Sequence, residues 1–173
     1  MSINKTYAVL GLGRYGRAVA EELVNNGAEV LAVDIDQNNV NNAIETIPVC
    51  KCADITEPEA IKRLGISNID VVIVAMASNL EASVMAVTLC KEAGVPTVIV
   101  KCGNEMHQKI LSRVGADKVI FPEKESGTRL AKTLLTSGFS EMIELSDEVS
   151  MVEIDVRDEW VGKTLIELSL RKK

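Results

Sequence analysis

Tyr7-Ala8-Val9-Leu10-Gly11-Leu12-Gly13-Arg14-Tyr15-Gly16 decides the fold: an aliphatic strand runs directly into a G-x-G-x-x-G loop, and a helical pattern starts on the loop's last residues. Alone, such a string is weak evidence, because chance matches are common. Between a strand and a helix it has a mechanism. Gly11 permits a tight turn, Gly13 lets backbone approach a pyrophosphate, and Gly16 lets the helix pack closely on the strand. The helix N-terminus then presents N–H groups and about half a positive charge to an anion. Asp34 ends the next strand, where an acid can accept both hydroxyls of an adenosine ribose. A 2′-phosphate would meet the same carboxylate as repulsion. The pattern therefore favours NAD, ATP, ADP or AMP over NADP.

Outward from this loop, β-branched runs alternate with helical segments. Strands are expected at Tyr7–Leu10, Glu29–Asp34, Val49–Cys52, Val71–Ala75, Thr97–Lys101 and Lys118–Phe121. Alternation of this kind predicts an α/β fold, a Rossmann-type doubly wound parallel six-stranded sheet with helices on both faces. The run from Val71 is apolar at every position, as a central strand between two helix layers requires. Helices are expected around Arg17–Asn26, closed by Gly27; from Ser78, paired with Glu81 as a capping box, to Ala93; from Asn104 to Gly115; and over Glu123–Thr136 with its leucines. After Gly138 the pattern changes: Phe139–Ser150 is mixed and acidic, and Met151–Val156 alternates as a half-exposed strand. Residues 1–138 read as a nucleotide-binding domain. Residues 139–173 read as a linker and the beginning of a small α+β lobe, with the chain stopping inside that second unit.

Composition excludes several classes. The 173 residues carry 25 acidic and 19 basic side chains, a net charge of −6, which disfavours broad contact with a nucleic-acid backbone. Two Phe, two Tyr and one Trp make no base-stacking platform. The longest apolar run, Val71–Ala77, is far short of the roughly 20 residues of a membrane span, so no direct membrane insertion is expected. No charged n-region with an apolar h-region opens the sequence, and the four cysteines fit a reduced cytosol.

Further positions join the candidate nucleotide site. Ile35 and Asp36 follow Asp34; Asp54 and Ile55 lie where an adenine amino group is read, although Asp54 could equally cap the helix near Glu57. Met76, Ala77 and Ser78 end the fourth strand and line the crevice of a doubly wound sheet, with helix capping as the alternative for Ser78. Lys101 ends the fifth strand and points a cation at phosphates, or is a solvated lysine. Arg14 is a phosphate contact or a surface residue; Tyr15 completes the loop. His107 is the single histidine, which suits surface or packing better than catalysis. The Tyr-x-x-x-Lys pair of short-chain dehydrogenases is absent, as is G-x-x-x-x-G-K-[ST]. Cys50 and Cys52 share a strand face, but Cys90 and Cys102 add no paired spacing, so buried apolar thiols are expected and zinc is not.

The order of the glycine loop, Val33-Asp34, Cys52-Ala53-Asp54, Asp70-Val71-Val72-Ile73-Val74-Ala75, Val114-Gly115-Ala116-Asp117 with Phe121-Pro122-Glu123, and Gly162-Lys163-Thr164-Leu165 resembles the regulator-of-potassium-conductance (TrkA-N) family, in particular the Ktr/TrkA-type cytosolic subunits of bacterial potassium uptake. The resemblance implies a regulatory subunit and not an enzyme. It implies ATP/ADP or NAD(H) in the crevice and a homodimer assembling into an octameric ring beneath a membrane potassium-translocating subunit, cytoplasmic and peripheral to the inner face of the membrane. By the same resemblance Arg14 reaches the terminal phosphate of ATP, Asp34 holds the ribose, and Lys101 and His107 face the phosphates or ribose. Glu123 sits at the dimer interface, with a divalent cation (Mg or Ca), and the leucine-striped helix after it pairs subunits. Two alternatives stand beside this reading: an NAD-dependent oxidoreductase lacking its substrate domain, and a redox sensor binding NAD and NADH unequally.

Overall fold

Strand and helix alternate as β1 Thr6–Leu10, α1 Arg14–Asn25, β2 Glu29–Asp34, α2 Gln37–Ala43, β3 Val49–Cys52, α3 Pro58–Arg63, β4 Val71–Val74, α4 Leu80–Glu92, β5 Thr97–Lys101, α5 Glu105–Val114 and β6 Lys118–Ile120. The structure is a computed structural model and describes residues 5–135, 139–144, 150–154, 156 and 158–168. All six strands pair in parallel in the order β3-β2-β1-β4-β5-β6. The order reverses between β1 and β4, which opens a crevice outside their carboxyl ends. The doubly wound fold expected from the alternation is thus present, with each strand boundary within one residue of expectation.

Period-two alternation fills both faces of the sheet. On one, Leu10, Val33, Val72, Val74, Val98 and Val100 pack with Ile61 of α3, Val87 and Cys90 of α4 and Leu111 of α5. On the other, Val9, Ala32 and Ile73 pack with Ala20 of α1 and Val40 and Ala43 of α2. Every residue of β4 is buried, as its unbroken apolar run required. Each buried Val, Leu or Ile contributes roughly 1.5–3 kcal/mol relative to exposure.

Two acids of the motif set fasten the amino edge of the sheet, away from the crevice. Asp70 Oδ2 accepts the Thr6 N–H at 2.8 Å, tying the start of β1 to that of β4. Asp117 Oδ2 accepts the Val98 N–H at 2.7 Å and lies 3.0 Å from the Lys91 ammonium, tying the approach to β6 onto β5 and α4. These bonds hold both carboxyls below the usual carboxylate range, led by the Thr6 amide for Asp70 and the Val98 amide for Asp117.

Three expectations need correction. Ser78 does not cap α4: Asn79, in extended conformation, accepts the Ala82 N–H at 3.0 Å, and Ser78 lies one residue too early. A capping side chain serves the amide two or three residues on, at the first turn of the helix, and at α4 it is Asn79 that does so. Helix α1 begins at Arg14, three residues before the expected start at Arg17. The thiols divide: Cys90 and Cys102 are buried, burial pushing Cys90 up to about 12, whereas Cys52 is exposed on the edge strand β3. The Asn104 cap and the left-handed Gly115 terminus of α5 are as expected, with Asn104 accepting the His107 N–H at 2.9 Å.

The chain divides into two compact units, Met1–Pro122 and Glu123–Lys173. The second contains most of α6 Pro122–Leu135, the antiparallel pair β7 Phe139–Glu144 and β8 Ser150–Ile154, and a 3-10 turn at Asp158–Trp160. Strand β7 is an element the mixed, acidic sequence there did not predict. Leu130, Leu134 and Leu135 of α6 are exposed. Among the described residues no helix is long and apolar enough to cross a membrane.

Candidate functional site: the glycine loop at the switch point

The three loop glycines have three different reasons to lack a side chain. Gly11 has φ +100°, donates its N–H to Val33 O at 2.8 Å, and would place a Cβ 2.7 Å from Met76 Cγ. Gly16 is buried; a Cβ there would stand 1.9 Å from the Gly11 carbonyl oxygen and 3.0 Å from Ala75 Cβ. Both glycines are demanded by the chain's own packing. Gly13 is not: its φ of −64° and ψ of −177° suit any residue, and a Cβ would meet no protein atom within 4 Å. The space it leaves opens outward, beside the N-terminus of α1, which no side chain caps. This is where an anion gains most from helix amides and dipole.

Asp34 is the buried acid of the site, with 9% exposure. Its Oδ2 accepts the Leu12 N–H at 2.6 Å and its Oδ1 accepts the Asp36 N–H at 2.8 Å. The carboxylate thereby fixes the loop from below. Each oxygen has two lone pairs, so one direction on each is left for a ribose hydroxyl. The Leu12 amide is a participant that sequence reasoning missed, since a backbone donor carries no residue signature.

Around the crevice, Arg14 is exposed at the first turn of α1. Lys101, at the end of β5, places its ammonium 5.3 Å from the centre of the Tyr15 ring, across the end of β4. Met76 and Ala77 are half-buried and Ser78 exposed on the connection from β4. Met76 O accepts the Ser83 hydroxyl at 2.9 Å, which ties this wall to α4. Gly103 also belongs here: a Cβ on it would come 3.2 Å from Ala77 O. Its position between the end of β5 and the Asn104 cap repeats the strand-glycine-helix pattern of the first loop, a signal that the sequence carried.

Other expected residues are placed at the margin or for other purposes. Ile35 is 66% exposed, an apolar side chain standing beside Asp34 with no core role. Asp36 caps α2, accepting the Asn38 N–H at 2.9 Å. Asp54 does not cap α3. It accepts the Thr56 hydroxyl at 2.7 Å and the Thr56 N–H at 2.9 Å, and these bonds, the hydroxyl's first, hold its carboxyl below the ordinary value. Ile55 is buried in the core, so its side chain serves packing. His107 lies half-buried in the first turn of α5. Glu123 is exposed near the start of α6, in the second unit. A hollow of about 350 Å³ lies elsewhere, along the sheet edge between β3 and α3, where Lys51 and Arg63 alternate with Asp54 and Glu57. That lining mixes both signs of charge and has no glycine loop, so an anion is better served at the N-terminus of α1.

A TrkA-N domain profile matches residues 7–122, from β1 to the end of the parallel sheet. The chain belongs to the TrkA-N domain family. Ktr system potassium uptake protein C of Bacillus subtilis (strain 168) is 38% identical over 171 residues, covering 99% of this TrkA-N chain and 77% of that protein. Ktr system potassium uptake protein A of the same organism is 40% identical over 170 residues, covering 98% and 77%. Among solved structures, the TrkA-N domain of inner membrane protein ybaL from Escherichia coli superposes with a TM-score of 0.68 at 15% identity, covering 78% of this chain and 99% of that one. GsuK bound to ADP gives 0.65 at 20% identity, covering 76% and 34%. The GsuK channel bound to NAD gives 0.64 at 12% identity, covering 84% and 26%. At those identities the structural likeness establishes the fold.

Proposed function

We propose that this chain is a nucleotide-sensing regulatory subunit of a potassium uptake system. It would bind ATP/ADP or NAD(H) at the switch-point crevice and act on a membrane potassium-translocating partner from the cytoplasmic side. The observation that carries the reading is Gly13: two glycines of the loop are needed by the fold, and the third, at the N-cap of α1, leaves open space in front of helix amides that no side chain caps, room that an anion can use. Asp34 beneath that space supplies ribose acceptors. The Ktr relatives, named for potassium uptake and matched along nearly the whole of this chain, supply the transport context.

Within this reading the adenine, ribose and first phosphates are held by groups common to all these ligands: the loop amides, Asp34, and the walls at Ile35–Asp36, Asp54–Ile55 and Met76–Ser78. These set affinity. Direction must come from what differs, the terminal phosphate, and we assign that contact to Arg14, which is exposed on the first turn of α1. His107 serves at the same edge. Glu123 supplies one ligand to a divalent cation, Mg or Ca, at a dimer interface. Among the described residues of one chain no cluster of three or more His, Cys, Asp or Glu could hold a metal, so the remaining ligands would come from the nucleotide and the partner subunit. Dimers joined through α6 would assemble as an octameric ring.

Calorimetric titration of ADP, ATP and NAD into the chain and into Gly13→Ala tests the reading. Binding by the unmodified chain, weakened in a Gly13→Ala protein that remains fully folded at the titration temperature, supports it. Equal affinity in the two proteins would remove the reason for placing a ligand there.

A further inference from the structure

We infer that Tyr15 is a positioning residue, whose ring face helps hold the Lys101 ammonium beside the first turn of α1 before any ligand arrives. The inference rests on the nucleotide reading above and adds to it how the cation of the site is kept in place. Lys101 ends β5, two strands along from β1 in the order β1-β4-β5. A lysine there has a flexible four-carbon stem and a strongly hydrated head. The N-terminus of α1 carries about half a positive charge, which pushes an ammonium outward when no anion lies between them. Yet Lys101 Nζ lies 5.3 Å from the Tyr15 ring centre, inside the range in which an aromatic face attracts a cation. Tyr15 is the second residue of α1, in the turn whose amides face the loop. The electron-rich face of the ring is one favourable contact set against that like-charge repulsion, beside the loop where a polyphosphate would later neutralise it.

Holding a rotamer-rich lysine near its working position reduces the ordering cost at binding. An aliphatic residue at position 15 could fill volume but offers no such face. The side chain at this x position of the loop then matters through Lys101, and its effect should vanish when Lys101 is neutral.

The test is a double-mutant cycle read by ADP calorimetry on the full chain, with Tyr15→Leu, Tyr15→Phe, Lys101→Met and the double variant Tyr15→Leu/Lys101→Met. Lys101→Met should weaken ADP about ten-fold or more, as loss of a charge-assisted contact does. Tyr15→Leu should weaken it about two- to five-fold, the size of an exposed cation–aromatic contact, and Tyr15→Phe should retain most of the affinity. In the Lys101→Met background, Tyr15→Leu should add nothing. An equal loss in both backgrounds, or Tyr15→Phe falling as far as Tyr15→Leu, overturns the inference. So does ADP affinity indifferent to Lys101→Met, which leaves the nucleotide reading standing; absence of ADP binding in the unmodified chain defeats both. Should Tyr15→Leu not fold, nuclear magnetic resonance of the unmodified protein decides. Lys101 Hε resonances displaced upfield by the ring current support the inference, and ordinary positions overturn it.

Discussion

Gly13 and Gly16 carry the same letter and opposite consequences. Gly16→Ala forces a Cβ to 1.9 Å from the Gly11 carbonyl, a backbone atom that cannot step aside. The first turn of α1 must shift off β1, so a loss of several kcal/mol in denaturant unfolding is expected, at the upper end of about 0.5–3 kcal/mol for single substitutions or beyond it. Gly13→Ala meets no clash and should cost far less, about 1 kcal/mol at most, the preference for glycine over alanine at an N-cap. Asp34→Ala combines both effects: it removes the proposed ribose acceptor and strands the Leu12 and Asp36 amides, so affinity should fall for every adenosine ligand alike, NAD and ATP included. Unchanged affinities would mean that the ribose is held elsewhere. Arg14→Ala is expected to spare ADP and weaken ATP about ten-fold or more, the worth of one charge-assisted contact; equal losses for both nucleotides in calorimetry would remove Arg14 from the terminal phosphate. The loop's glycines and Asp34 were legible because each is a residue type with few other uses at that spacing. Leu12 was not, since it contributes an amide, and neither was the Tyr15–Lys101 approach, which joins elements far apart in the chain.

At the scale of elements, strands were legible almost to the residue. A parallel strand buried on both faces must be apolar throughout, and its neighbours are polar turns. Helix starts were less so: apolar periodicity reports where a helix meets the core, and α1 begins at Arg14 on the solvent side, ahead of any packed residue. Caps fail by one position for the same reason that Ser and Asn are interchangeable as capping types. Asn79→Ala should cost about 1 kcal/mol in denaturant unfolding, and Ser78→Ala close to nothing; the reverse ranking would restore the capping box to Ser78. The amino-edge fastener makes a pH prediction. Asp117 is held below its ordinary 3.8 by the Val98 amide and the Lys91 ammonium, so the folded state binds its proton less readily than the unfolded. Its contribution is complete above about pH 4 and is lost as pH falls through the lowered value. Unfolding free energy of Asp117→Asn should therefore decline less steeply below pH 4 than that of the unmodified chain, and parallel curves would show that the carboxylate contributes nothing through its charge.

For the whole molecule, binding and switching are separate quantities. A ligand stabilises whichever folded state it occupies by RT ln(1 + [L]/Kd), about 2.7 kcal/mol at a hundredfold excess over Kd. ADP and ATP, each at that excess, should thus raise the melting temperature of the chain comparably, since melting reports occupancy. A change in assembly needs more: the two nucleotides must differ in their affinity for two arrangements of the subunits, by a coupling of about 1–3 kcal/mol. Shared contacts at Asp34 and the glycine loop cancel from that difference, leaving the terminal phosphate and whatever meets it. Small-angle scattering of the proposed ring should therefore distinguish ATP from ADP at matched occupancy, and in Arg14→Ala the two curves should converge while both melting shifts persist. Identical scattering with both nucleotides in the unmodified protein, at melting shifts that prove occupancy, would make the crevice a constitutive site and strip the terminal phosphate of any regulatory part.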